Sequence, residues 1–118
     1  MNPSTLLQTI ELTKKPGHKN ITFVTATKKA SERLLQDFYV LLTKHCPTAT
    51  IILPSSLNFI NVNEGDYSAR ITFDGQDLDF GRHHGVELSM VVFDEFKDLP
   101  EETVAAFLPQ VPKGGIII

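Results

Sequence analysis

Met90-Val91-Val92-Phe93-Asp94-Glu95 is the stretch that decides the fold, an unbroken apolar run ending on two adjacent acids. An apolar run without alternation suits a strand buried on both faces, as in parallel sheets covered by helices. A buried strand that finishes on paired carboxylates has the form of a Walker B element. In that reading Asp94 holds the Mg²⁺ of a nucleotide at the carboxyl end of a central parallel strand, usually through water, and Glu95 orients the attacking water. The same residues also fit a plainer reading, a core strand that meets solvent and turns on Asp-Glu.

Working outward, Ile21-Thr22-Phe23-Val24-Thr25 alternates and is rich in β-branched residues, so it predicts a strand, with Thr27 as the N-cap of a helix directly after it. From Lys28 to about His45, Leu34, Leu35, Phe38, Leu41 and Leu42 form one apolar face of that amphipathic helix. Lys44 and His45 suit the negative end of the helix, and Pro47 stops it. A strand handing directly to a long helix needs a crossover, and crossovers join parallel strands. Residues 4–12 carry a shorter apolar stripe at Leu6, Leu7 and Ile10, broken by Lys14-Lys15-Pro16-Gly17.

Between these landmarks, Ala49-Thr50-Ile51-Ile52-Leu53 predicts a short strand closed by Pro54-Ser55-Ser56. Alternating segments at 57–62, 69–73 and 78–80 are separated by Asn63-Glu64-Gly65-Asp66 and by Asp74-Gly75, both turn signals, and predict a β-hairpin excursion. A polar loop, Gly81-Arg82-His83-His84-Gly85, feeds the strand at 88–93. Leu99-Pro100-Glu101-Glu102-Thr103 opens a short helix with proline and acids in its first turn. Gly114-Gly115-Ile116-Ile117-Ile118 predicts a final strand, which either completes the sheet centrally or marks a chain cut from something longer. The expected fold class is α/β: a single domain over residues 1–118 with a mainly parallel three-layer sheet core and a hairpin excursion.

Composition narrows the function classes. The chain has 118 residues with 42% hydrophobic content, enough for one core and too little for two domains. A formal charge of −3 supplies no global basic field for nucleic acid. The single cysteine, Cys46, excludes an intrachain disulfide. The opening Met1-Asn2-Pro3-Ser4 has neither flank nor core of a signal peptide, and no apolar stretch approaches the roughly 20 residues that span a bilayer. The expectation is a soluble cytoplasmic protein without a membrane partner.

The remaining candidate groups are weaker than Asp94 and Glu95. No GxxxxGK[ST] occurs in the sequence, and neither Lys14-Lys15-Pro16-Gly17 nor Gly114-Gly115 offers a glycine-rich loop between strand and helix that would cradle phosphates. Arg82 is a phosphate or DNA contact, or else part of a solvated loop. His83 and His84 point to opposite sides of an extended chain, far in sequence from His18 and His45, which argues against a metal site there. Lys28 and Lys29, just beyond a strand end, are either solvated or placed to touch a nucleic acid backbone. Cys46 lies at the wrong helix pole for a reactive thiolate, and no serine sits in a nucleophile elbow.

Phe23-Val24-Thr25-Ala26-Thr27-Lys28-Lys29-Ala30 and the helix after it, Arg70-Ile71-Thr72-Phe73, the 81–85 loop, the strand into Asp94-Glu95 and the proline soon after together resemble the ATPase core of the large terminase subunits of tailed phages. Those are P-loop NTPases of the ASCE type. The resemblance covers most of residues 20–118, with Ser4-Thr5 falling near the end of a Walker A motif whose glycines and lysine are missing. It implies ATP and Mg²⁺ as cofactors and DNA packaging as the activity, and only Asp94 and Glu95 carry over as residues. The chain departs from the pattern in its missing phosphate-binding loop, coupling residues and nuclease domain.

The residues support three readings. The first is an incomplete terminase-like core of phage or mobile-element origin, silent alone, with no appreciable ATP hydrolysis and at best weak Mg·ATP binding. The second is a non-catalytic α/β interaction module that self-associates as a homo-oligomer, or binds a partner, through its C-terminal strand. The third, a nucleic-acid binder using Lys28, Lys29 and Arg82, is disfavoured by the acidic balance.

Overall fold

The computed structural model describes residues 3–55, 58–75, 88–94, 101 and 116–117. Helix α1 (Pro3–Thr13) is followed by strand β1 (Gly17–Thr25), helix α2 (Lys28–His45) and strands β2 (Thr50–Ile52), β3 (Phe59–Glu64), β4 (Tyr67–Gly75), β5 (Met90–Phe93) and β6 (Ile116–Ile117). Among the described residues these strands form one sheet in the order β2-β3-β4-β1-β5-β6. The pairs β4–β1, β1–β5 and β5–β6 are parallel, and β2–β3 and β3–β4 are antiparallel. The α/β architecture with a parallel core is the one the sequence predicts. No helix among the described residues is long and apolar enough to cross a membrane.

Helix α2 begins where the sequence places it, because Thr27 is extended (φ −140°, ψ 159°) and its hydroxyl accepts the Ala30 N–H at 3.1 Å. That contact satisfies one of the N–H groups a helix start leaves without an intrahelical partner. Leu34, Leu35, Phe38 and Leu42 are buried against the sheet, whereas Val40 on the outer face is exposed. Phe38 meets Phe23 of β1 and Phe73 of β4 at ring-centroid distances of 5.5 and 5.8 Å, and the latter two stack at 5.1 Å. Helix α1 adds Leu6 and Ile10 to the same core. The hydroxyls of Thr9 and Thr13 bond back to the carbonyls of Thr5 and Thr9, which lets both threonines be buried inside a helix.

The structure corrects one part of the sequence reading. Asp74-Gly75 is not a turn: β4 continues through it, and the nine β1 positions from Gly17 to Thr25 pair with Tyr67 to Gly75. The predicted hairpin is present as β3 and β4, and its second strand lies inside the sheet beside β1. The β3–β4 turn at Gly65-Asp66 does fall where expected, with Gly65 at φ 58°, a conformation open to glycine. The predicted segment at 78–80, the 81–85 loop and, apart from Glu101, the helix predicted from 99 lie outside the described residues.

Candidate functional site

Strands β4, β1, β5 and β6 all run the same way, so their carboxyl ends share one edge of the sheet. From β1 the chain leaves through α2 toward β2 on one side, and from β5 it proceeds to β6 on the other. Connections that diverge in this manner open a crevice beyond the carboxyl ends of the two strands, the place where ligands of open α/β sheets bind.

Asp94 stands at that crevice. It follows the last residue of β5, its backbone N–H donates to the Val24 carbonyl at 2.8 Å, and its side chain is half-buried. The segment Thr25-Ala26-Thr27 crosses the same edge into the start of α2. There the Thr25 hydroxyl donates to the Thr27 carbonyl at 2.8 Å and fixes the turn. Lys28 and Lys29 occupy the exposed first turn of α2, four and five positions after the residue that Asp94 bonds. The structure thus gathers Asp94, Lys28 and Lys29 at one edge. Glu95 and Arg82 lie outside the described residues.

Two groups at this edge escape a sequence reading. Asp74 is 1% exposed at the end of β4, opposite Val24 of β1, so acids follow or close the strands on both sides of β1. The repeated pattern, Phe73-Asp74 and Phe93-Asp94, is the signal that would have found it. Ser31, one turn into α2, is buried and donates its hydroxyl to the Phe73 carbonyl at 3.0 Å, tying the helix start to the end of β4.

The perturbed titrating groups sit at the opposite, amino edge. Burial lowers the Lys19 ammonium from its ordinary value, with Asp66 opposing the shift, and its Nζ donates to the carbonyls of Lys15 and Gly17. Burial raises the Tyr67 hydroxyl, and the Cys46 thiol and Glu64 carboxylate raise it further. Lys19 bonds the α1–β1 turn and its Nζ lies 5.8 Å from the centroid of the Tyr67 ring, at the end of the sheet away from the crevice.

As for a nucleotide and its metal, the residues present fit one half. A half-buried carboxylate at a strand end supplies the kind of ligand Mg²⁺ takes, alongside waters and phosphate oxygens. Among the described residues no three His, Cys, Asp or Glu side chains gather into an all-protein metal cage. The phosphate half has no glycine-rich cradle in the sequence.

The fold is found in phage large terminases. The large terminase of a thermophilic bacteriophage superposes with a TM-score of 0.75 at 14% identity, covering 95% of this chain and 28% of the terminase. The same phage enzyme in complex with ADP gives 0.74 at 13% identity, over 95% of this chain and 27% of that one. Its complex with ATP-γ-S gives 0.72 at 14%, with the same two coverages as the ADP complex. The chain therefore spans less than a third of the length of these terminases. No family model and no curated protein matches it by sequence.

Proposed function

We propose that this chain is the carboxylate-bearing part of a terminase-like NTPase core, of phage or mobile-element origin, in which Asp94 contributes to holding a Mg²⁺–nucleotide and Glu95 orients water. The observation that carries the reading is Asp94 itself, half-buried at the carboxyl end of a strand inside a parallel sheet, in the crevice between β1 and β5. The likeness of the fold to terminases solved with ADP and ATP-γ-S supports it. In the bound state the metal supplies charge neutralisation at the phosphates. This chain's own part is electrostatic and positional: Asp94 is fixed through its backbone bond to Val24, and Thr27 and Ser31 fix the start of α2 beside it.

Carboxylates place metal and water but do not replace the backbone N–H groups and lysine of a phosphate loop. Alone, the chain binds Mg·ATP weakly and does not hydrolyse it, and DNA packaging belongs to whatever assembly supplies that loop. The test is amide NMR with Mn·ADP. Paramagnetic broadening is expected at residues 24–28 and 94 and is lost in Asp94→Ala. Broadening unchanged by that substitution, or none near Asp94 at millimolar nucleotide, refutes the site. A micromolar affinity by calorimetry refutes the silence of the isolated chain.

A second reading rests on β6, the last strand in the described sheet order, held to β5 through the pairs Val91–Ile116 and Val92–Ile117. A strand so placed is suited to pairing with a second copy or another protein. Deleting residues 116–118 then yields a folded monomer from an oligomer, whereas a strand serving only this core takes the fold with it.

A further inference from the structure

Among the described residues, the sheet face turned away from α1 and α2 is exposed at His18, Thr50, Ile52, Asn63 and Arg70, and its chemistry is not that of a surface left over. Register aligns Thr50, Asn63, Ser68 and His18 in one row across four strands. The next row holds Ile52, Asn61 and Arg70. Together they line a groove of about 410 Å³. Its lining includes a guanidinium and an imidazole and no carboxylate, although the chain as a whole carries −3. Glu64 belongs to the helix side of the sheet, where Thr48 and Tyr67 donate to it. The turn acid Asp66 acts on Lys19, whose side chain is also on that side.

Three features converge on one ligand chemistry. The Arg70 guanidinium carbon lies 3.9 Å over the centroid of the Phe59 ring, a cation–π contact, and Arg70 is exposed, so its guanidinium is placed to serve an unpaired base as a stacking platform. Asn61 and Asn63 each carry an amide with a donor beside an acceptor, the pattern that pairs with the edge of a base. His18 Nδ1 meets Ser68 Oγ at 2.8 Å, so that with the hydroxyl donating, Nε2 carries the proton and serves as a donor to phosphate. A peptide strand would use the amides but has no need of the platform.

We infer that this sheet face binds single-stranded nucleic acid, one unpaired base stacking on Arg70 and contacting Asn61 while the backbone passes His18. The groove volume falls within the range of small-ligand sites, about 300–1,000 Å³. The inference stands apart from the proposed nucleotide site, which lies at the carboxyl edge, and the two fail separately.

The test is fluorescence anisotropy at low salt with labelled oligothymidylate and oligoadenylate, a labelled duplex, and unlabelled mononucleotide as competitor. Single strands are expected to bind at least about tenfold more tightly than duplex, because a paired base offers no free face to the platform. Arg70→Ala should weaken single-strand binding about tenfold, and Arg70→Lys, which keeps the charge and loses the plane, should recover less than half of that loss. Asn61→Asp, which adds a like charge to the phosphates, should weaken it at least as much. Lys28→Ala with Lys29→Ala, on the other edge, should change it less than about twofold. Circular dichroism confirms that each variant is folded. The inference is overturned by no single-strand binding at tens of micromolar protein, by duplex or mononucleotide binding equally well, or by affinity that follows Lys28 and Lys29 instead of Arg70.

Discussion

Phe38→Ala tests whether α2 is seated on the sheet through its aromatic cluster, and with it the placing of the whole carboxyl edge. Phe38, Phe23 and Phe73 are all 0% exposed, and Phe38 meets the other two rings at tilted angles of 57°. Truncating a buried phenylalanine to alanine costs about 3–5 kcal/mol, from lost transfer energy and the cavity left behind. The two ring contacts account for about 0.5–1.5 kcal/mol each beyond burial. Against a total stability of about 5–15 kcal/mol, the loss is at least about a fifth. With a urea m-value of about 2 kcal/mol/M, the midpoint falls by about 2 M. The sequence has no tryptophan, so unfolding is followed by far-UV circular dichroism. Pairing Phe38→Leu with Phe73→Leu in a double-mutant cycle should give a coupling of about 1 kcal/mol. A cost below about 1 kcal/mol for Phe38→Ala, or strict additivity in the cycle, means the ring does not bridge the helix to β1 and β4, and the carboxyl edge loses its frame.

Two further outcomes rest on other contacts. Thr27→Ala removes the cap on Ala30 and should cost about 1 kcal/mol, with Thr27→Asp restoring most of it; equal losses in both variants would show that the hydroxyl's bond is not what starts α2. Tyr67 titrates above its ordinary 10.0 in the folded state, so its contribution to stability is fully present below pH 10.0 and is lost as pH rises through the raised value. Lys19 acts in the opposite sense below its ordinary 10.5, because a lowered folded value lets stability rise with pH through that window. Urea midpoints measured on either side of pH 10 should therefore fall more steeply above it in the wild type than in Tyr67→Phe, and parallel curves would contradict the placing of the hydroxyl beside Glu64.

The parts of the fold that are legible in sequence are those in which local chemistry and tertiary packing agree. Helix α2 is the clearest: Thr27 caps it, Lys28 to His45 carry a single apolar face, and the observed bounds are the predicted ones. Strand β1 extends four residues before its predicted start because Gly17-His18-Lys19-Asn20 carries no apolar pattern. What makes those residues a strand is hydrogen bonding to Tyr67, Ser68, Ala69 and Arg70, fifty positions away. Asp74-Gly75 misleads for the same reason, since its turn propensity is overridden by pairing with Val24 and Thr25. Pairing between distant segments leaves no local mark, so which strand lies beside β1 is out of reach of the sequence.

The two strands that flank β1 show what the sequence does encode about function. Val91-Val92-Phe93 ahead of Asp94 has no alternation, and in the structure all three are buried although successive side chains face opposite sides. Ser68-Ala69-Arg70-Ile71-Thr72-Phe73 ahead of Asp74 alternates: Ala69, Ile71 and Phe73 are buried under the helices, and Arg70 is exposed on the other face. Runs and alternation therefore report, strand by strand, whether one or both faces of the sheet are covered. A strand buried on both faces leaves only its carboxyl end for chemistry, which is where Asp94 stands. A strand buried on one face also has a surface to offer, and Arg70 stands on it. Aspartates at the ends of both strands make those ends look alike in sequence. The residues between them separate a crevice at one edge of the sheet from a binding face across its other half.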